Sequence, residues 1–186
     1  GVLPDFDTLD LGGGFPVHAV GEPAPTPDQL DDLLRLATRA PDHGKLAPWR
    51  FVILEGAAKA AFAARLDALA ESRADTKLSA KLAKLKIPPL AVVVVSSPKP
   101  GAIPEWEQVL SAGAVCANLT YATLGMGFGA NWITEWYAYD RNALAVIEAE
   151  GIGWDIAIRP AADRPKRLFG LVAETGFELF VNLINV

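Results

Sequence analysis

The run Leu90-Ala91-Val92-Val93-Val94-Val95 constrains this chain more than any other stretch. β-Branched side chains are stiff at χ1 and suit the pleat of a strand better than a helix. A strand with one wet face alternates apolar and polar residues. This one does not alternate, so both of its faces are expected to be buried. Pro88-Pro89 precede it and Pro98-Lys99-Pro100-Gly101 form a turn after it.

The neighbouring segments supply regular elements around that strand. Thr26-Pro27-Asp28-Gln29 reads as a helix start, with Thr26 as N-cap, Pro27 at the first helical position and Gln29 closing a capping box. Leu30, Leu33, Leu34 and Ala37 continue at helical spacing until Pro41 stops the helix and biases Ala40 away from helical geometry. Phe51-Val52-Ile53-Leu54 reads as a buried strand ended by Glu55-Gly56. Residues 57–72 read as a helix with Phe62, Leu66 and Leu69 on one face, and 76–86 as a solvated, lysine-bearing helix with an apolar underside.

A long helix is expected over Glu105–Gly125. Its middle holds Ser111, Ala112, Gly113, Ala114, Cys116 and Ala117, so it is apolar nearly all round and should be deeply buried or packed closely on another helix. Gly127 to Thr134 reads as a glycine-punctuated strand, Arg141–Glu150 as a short helix, and Leu168–Ala173 as a last core strand. The apolar tail Phe177–Val186 is extended in character, and a lone terminal strand must pair somewhere. This order of elements gives an α+β or α/β domain with one central sheet. No internal repeat or second domain is visible, so residues 1–186 are read as one domain with an irregular segment over 1–25.

Composition narrows the function classes. The net charge of -5 and the lack of a basic stripe argue against nucleic acid as a partner. No apolar run reaches the roughly 18 residues that suggest a membrane span. The slight apolar excess suggests surface buried against another subunit. Cys116 is the one cysteine and cannot close an intrachain disulfide, which points to a reducing compartment. Residues 1–10 lack the basic-then-apolar order of a signal peptide, so a cytoplasmic protein is expected.

Several chemical readings fail on spacing. Gly125-Met126-Gly127-Phe128-Gly129 follows a helix and opens a strand, the reverse of a dinucleotide-binding fingerprint. Helix termination explains these glycines better. No Walker sequence and no serine nucleophile elbow are present. His18 and His43 are distant in sequence and the carboxylates are scattered, so no metal site is expected. Cys116 lies in an apolar helix and reads as a core residue. Arg39-Ala40-Pro41-Asp42-His43-Gly44-Lys45-Leu46-Ala47-Pro48-Trp49-Arg50-Phe51 is the most informative loop. His43 there has two readings. It is either a loop residue bonded to Asp42, or a contact, together with Arg39, to an anionic or aromatic ligand. Arg39 also suits a helix C-terminus for electrostatic reasons alone.

Taken together, Arg39-Ala40-Pro41-Asp42-His43, Pro48-Trp49-Arg50-Phe51, Pro104-Glu105-Trp106-Glu107-Gln108, Ser111-Ala112-Gly113-Ala114 and Gly127-Phe128-Gly129-Ala130-Asn131-Trp132-Ile133-Thr134, with Glu22-Pro23-Ala24-Pro25 ahead of them, resemble the FMN-dependent nitroreductase-like family, and within it the minimal (YdjA-like) nitroreductases. The likeness covers about residues 20–140. It implies an α+β nitroreductase-like fold, a central mixed sheet flanked by helices, and a homodimer with two FMN sites at the interface. By the same resemblance the C-terminal arm, 177–186, would pair with the partner's sheet. Arg39 and His43 would approach FMN from the second subunit; Ala122, Thr123, Leu124, Gly125, Met126 and Gly127 would line the flavin; Trp132, Ile133 and Thr134 would add contacts.

The implied activity is hydride transfer from NADH or NADPH through flavin N5 to a nitroaromatic, quinone or similar small acceptor, with no catalytic side chain needed beyond the flavin. Where the family carries an Arg-Arg-Ser type segment for the FMN phosphate, this chain has Gly14-Phe15-Pro16. That departure motivates the alternative of a dimeric flavin- or ligand-binding homologue that has lost catalysis.

Overall fold

A computed structural model describes residues 24–73, 75–143, 145, 154–156 and 178–185. The first helix, α1, spans Pro27–Ala37. Its capping box is formed as the sequence requires: Thr26 Oγ1 accepts from the Gln29 amide at 3.3 Å, and Gln29 Oε1 accepts from the Thr26 amide at 2.9 Å. Strand β1 runs over Trp49–Glu55, helix α2 over Gly56–Ser72, strand β2 over Leu90–Ser96, helix α5 over Glu105–Gly125 and strand β3 over Phe128–Ile133. Between α2 and β2 the expected single helix at 76–86 is two, α3 over Thr76–Lys81 and α4 over Ala83–Lys86. The break falls at Leu82, which is fully buried with Leu85 beneath the sheet. Lys59 of α2, itself buried, donates from Nζ to the Lys86 carbonyl at 2.8 Å and so closes the C-terminus of α4. Residues 141–143 and 145 are helical; the rest of the helix expected to Glu150 lies outside the described residues, as does the strand expected at Leu168–Ala173.

Two further strands, β4 over Trp154–Ile156 and β5 over Glu178–Asn185, complete a five-stranded sheet in the order β3-β5-β2-β1-β4. The β4 segment carried no strand signal in the sequence. Two expectations are corrected here. The four ladders described are all antiparallel, whereas a mixed sheet was expected. The C-terminal arm pairs within its own chain rather than with a partner's sheet. It fills the slot between β2 and β3, with Val92 opposite Val181 and Trp132 also opposite Val181 on the other side. The physical reason is the open edge of β2. With β1 on one side only, an all-apolar strand would expose a full row of backbone donors and acceptors.

The lack of alternation in β2 is explained by two cores. Leu90, Val92 and Val94 pack with Phe51 and Ile53 of β1 against α1 and α5. Ala91, Val93 and Val95 pack with Val52 and Leu54 against α2 and the α3–α4 pair, where Phe62, Leu66 and Tyr137 are fully buried. The sheet is therefore sandwiched between helical layers. No helix among the described residues is long and apolar enough to cross a membrane.

Each core should matter independently. Phe51→Ala on one face and Phe62→Ala on the other should each cost about 3–5 kcal/mol, the usual range for deleting a buried phenyl group. Urea denaturation measures this, and a loss below about 1 kcal/mol for either would contradict the two-core description.

Candidate functional site

The site begins with the loop between α1 and β1. Residues His43–Lys45 form one 3-10 turn, with Gly44 at φ 79, Lys45 at φ 54 and Ala47 at φ 45. Two non-glycine residues in left-handed geometry cost on the order of 1–3 kcal/mol each, so the surroundings must hold them. Asp42 does much of this. Its carboxylate accepts from the Leu46 amide at 3.1 Å and the Ala47 amide at 2.7 Å. The ammonium of Lys99 donates to the Leu46 carbonyl. Gly44 suits its φ of 79, and a Cβ there would stand 3.1 Å from Ile103 Cγ1, a tight approach. Buried Gln108 of α5 fixes the opposing loop, exchanging bonds with Lys99 (2.8 and 2.9 Å) and donating to the Ile103 carbonyl at 3.1 Å.

His43 is bonded, but not to Asp42 as one sequence reading held. Its Nδ1 lies 2.7 Å from Glu107 Oε2, in the first turn of α5. Asp42 is occupied by the loop's own amides. Glu107 was overlooked as a site residue because 64 positions separate it from His43. The signal, a carboxylate in the matched Pro104–Gln108 segment, was present. Arg39 lies in the turn after α1, exposed; its amide donates to the Leu36 carbonyl at 3.1 Å, and its guanidinium has no hydrogen-bond or ion partner among the described residues. Nearby, Asn118 Nδ2 donates to the Ala37 carbonyl at 3.3 Å and ties the end of α1 to the middle of α5.

The second group sits at the other end of α5. Ala122 and Met126 are half-buried against the core, Thr123 is fully buried, and Leu124, Gly125 and Gly127 are exposed. The Thr123 hydroxyl donates to the Leu119 carbonyl at 2.7 Å. The Met126 amide donates to Ala122 and the Gly127 amide to Leu124, at 3.0 and 3.1 Å. These amides finish the helix, and Gly127 at φ 84 terminates it, in agreement with the rejection of a dinucleotide fingerprint. In β3, an edge strand, Trp132 is 41% exposed and Ile133 is buried in the second core; Thr134, just past the strand, is exposed. Thr123 and Ile133 thus have only backbone atoms to offer a ligand. Glu135, just beyond, is held by Lys84 at 2.7 Å and Lys81 at 3.4 Å. Burial works to raise its carboxyl, but the two lysines outweigh that and hold it below its ordinary value.

The structure leaves the predicted residues in separate groups rather than one place: the extended strand alone carries Thr134 about 23 Å from Gly127, and Ile133 packs in the second core while Ala122 and Met126 pack on the first. Helix rise sets their spacing: Glu107 and Ala122 are about 22 Å apart along α5, and Asn118 is about 6 Å short of Ala122. Within a single chain His43 does not meet the Ala122–Gly127 end. Cys116 lies fully buried between the groups, and burial pushes its thiol up to about 12, which leaves it a core residue. Among the described residues no three His, Cys, Asp or Glu side chains cluster as a metal would need. A cavity of about 450 Å³ lies between α2 and Lys86–Pro89, against the other helical layer, and contains none of the candidate residues.

One face of α5 has no partner among the described residues. Trp106, Val109, Leu110, Tyr121 and Leu124 are exposed, with Gly113 and Ala117 half-buried between them. At about 100° per residue these seven positions fall within an arc of about 120°, one continuous apolar stripe.

Comparison with known proteins agrees with this architecture. The sequence profile described as "Nitroreductase family" matches residues 20–157. "Putative NAD(P)H nitroreductase YdjA" of Escherichia coli (strain K12) is 36% identical over 116 residues, covering 61% of this chain and only 63% of the length of that relative. "Putative NAD(P)H nitroreductase" of Haemophilus influenzae is 34% identical over 134 residues, 69% of this chain and 71% of that protein. Among solved structures, a nitroreductase-like family protein from Bacillus cereus superposes with a TM-score of 0.63 at 20% identity, over 91% of this chain and 79% of that one. A nitroreductase with bound FMN from Bacteroides fragilis gives 0.61 at 18% identity, over 91% and 82%. At such identities these two structures speak to the fold.

If Asp42 organises the loop, Asp42→Ala should cost about 2–3 kcal/mol, because two amides lose a charged acceptor. Chemical denaturation reads this directly. A change within about 0.5 kcal/mol would show that the left-handed turn is held by something else.

Proposed function

This chain belongs to the nitroreductase family, and we propose that it is an FMN-dependent NAD(P)H oxidoreductase whose flavin sits between two copies of the chain. The single observation that carries the proposal is the separation of the candidate residues along α5 together with the apolar stripe on that helix. In the stripe, Trp106 and Leu124, Val109 and Tyr121, and Gly113 and Ala117 are each equidistant from Val115. A self-complementary face is what a two-fold interface requires. Two α5 helices packed antiparallel about that point would meet at their small residues. Each would carry the His43–Glu107 end of one subunit to the Ala122–Gly127 end of the other, and so complete a site that one chain lacks.

The residues suit FMN. The Arg39 guanidinium is exposed and unpaired among the described residues, so it is available to an anionic ligand. A cation near the pyrimidine edge would stabilise reduced, anionic flavin. Exposed Trp132 supplies an apolar wall, and Leu124, Gly125 and Gly127 leave the helix end open to a flat ring. When bound, FMN supplies the hydride chemistry, accepting from NADH or NADPH at N5 and passing electrons to a nitroaromatic, quinone or similar acceptor. The protein's share is to bind, orient and tune. Gly14-Phe15-Pro16, where the family has its phosphate-binding segment, lies outside the described residues. A reducing compartment such as the cytoplasm fits the one unpaired cysteine.

The second reading, a binding protein without catalysis, is favoured by that same Gly14-Phe15-Pro16 segment. The two readings separate in a stopped-flow experiment on the FMN-loaded protein. The oxidoreductase reading expects NADH or NADPH to bleach the flavin band at a catalytically useful rate. Binding of FMN with reduction no faster than free flavin would replace it with the second reading, and failure to bind FMN would overturn the oxidoreductase reading and leave the second only for a ligand other than flavin. The interface is tested by Gly113→Arg. A Cβ at Gly113 meets nothing within 4 Å in the single chain, so the variant should fold. It should be monomeric in sedimentation and bind FMN at least about tenfold more weakly, as loss of half a site's contacts implies. A dimeric variant with unchanged affinity would refute the α5 seam.

A further inference from the structure

We propose that Glu107 is the positioning residue for His43. It fixes the imidazole so that Nδ1 faces α5 and Nε2 is left for the ligand. This rests on the flavin reading above.

The loop's other restraints act on its backbone. Asp42 holds the amides of Leu46 and Ala47, Lys99 holds the carbonyl of Leu46, and Ile103 crowds Gly44. None of them hydrogen-bonds the imidazole. His43 has an exposed side chain, 64% accessible, and among the described residues its one hydrogen bond is the 2.7 Å contact from Nδ1 to Glu107 Oε2. Without that contact the ring would be free to rotate about two bonds, which costs conformational entropy whenever a ligand fixes it. Glu107 is itself well placed to act as a fixed point, being 28% accessible in the first turn of a 21-residue helix. A carboxylate there is also favoured by the helix macrodipole.

The chemical consequence lies in the tautomer. An ionised carboxylate only accepts hydrogen bonds, so it holds a proton on Nδ1. In the neutral ring the lone pair then resides on Nε2, and Nε2 is an acceptor for a ligand N–H. In the imidazolium Nε2 becomes a donor, with the ring plane unchanged. The bond one nitrogen makes decides what the other can offer. Glu107 thus sets both the direction and the hydrogen-bonding character of the edge that His43 presents across the interface.

The test has two arms. The first needs no flavin: long-range ¹⁵N–¹H correlation spectra of the protein alone, at a pH where the ring is neutral, with His43 assigned from the His43→Ala variant. The wild type should show the Nδ1–H tautomer, and Glu107→Ala should shift His43 toward Nε2–H. An Nε2–H wild type, or no change in the variant, overturns the proposal. The second arm is a double-mutant cycle on FMN affinity. Glu107→Ala should weaken FMN binding roughly threefold to tenfold in the wild-type background and have no effect in the His43→Ala background. An equal loss in both backgrounds would mean that Glu107 serves the helix end alone and would overturn the positioning role. If the wild type binds no FMN, the flavin reading fails, and the tautomer arm still decides whether Glu107 governs the ring.

Discussion

The burial of β2 on both faces is the constraint from which the rest of the structure follows. Its side chains point alternately into two cores, so helices must cover both sides of the sheet. Its two edges are equally demanding. β1 satisfies one and β5 the other, each in an antiparallel ladder of backbone bonds. With those ladders in place, α1 and α5 are pressed onto one face and α2 with the α3–α4 pair onto the other. Helix α5 is buried on one side by the first core and carries a row of exposed apolar side chains on the other.

That helix also acts as a ruler. Its N-terminal turn holds His43 through Glu107, its middle holds the end of α1 through Asn118, and its last turn becomes the Met126–Gly127 corner that starts β3. The His43 loop and the Ala122–Gly127 corner are therefore kept on the order of 20 Å apart along a rigid rod. In the reading proposed above, the exposed apolar stripe and the separation of the candidate residues along this helix are both accounted for by a second copy of the chain. Strain in the 44–47 turn fits this picture. Left-handed backbone at Lys45 and Ala47 persists because Asp42, Lys99 and Ile103 over-determine the turn, and such spending of stability is commonest where a loop must present a side chain.

Much of this was legible in the sequence wherever the signal was local. Thr26 and Gln29 marked the start of α1, the valine run gave β2 with both faces buried, and the boundaries of α5 agree with its small-residue pattern; α1 itself ends at Ala37, ahead of the stop expected at Pro41. What failed was nonlocal. Nothing between residues 76 and 86 breaks a helix by composition; the break at Leu82 arises because Leu82 and Leu85 both drop into the second core while Lys81 and Lys84 reach Glu135. A three-residue strand such as β4 carries too few side chains to show a period. Strand direction, and the return of the C-terminal arm into its own sheet, depend on which edge is vacant and not on any residue within the arm. The site was half legible for the same reason. The loop and the helix end were recognisable as pieces, but the His43–Glu107 bond joins residues from distant segments, and Thr123 and Ile133 turned inward because the helix and strand periods placed them on the core side.

The central claim is that one chain carries two incomplete halves and that a flavin belongs where two chains complete them. Sedimentation velocity on the FMN-loaded protein, followed at the flavin absorbance band over a dilution series, tests it most directly. The account predicts that flavin travels only with the two-chain species and is released as that species dissociates. Flavin travelling undiminished with the single chain would contradict it.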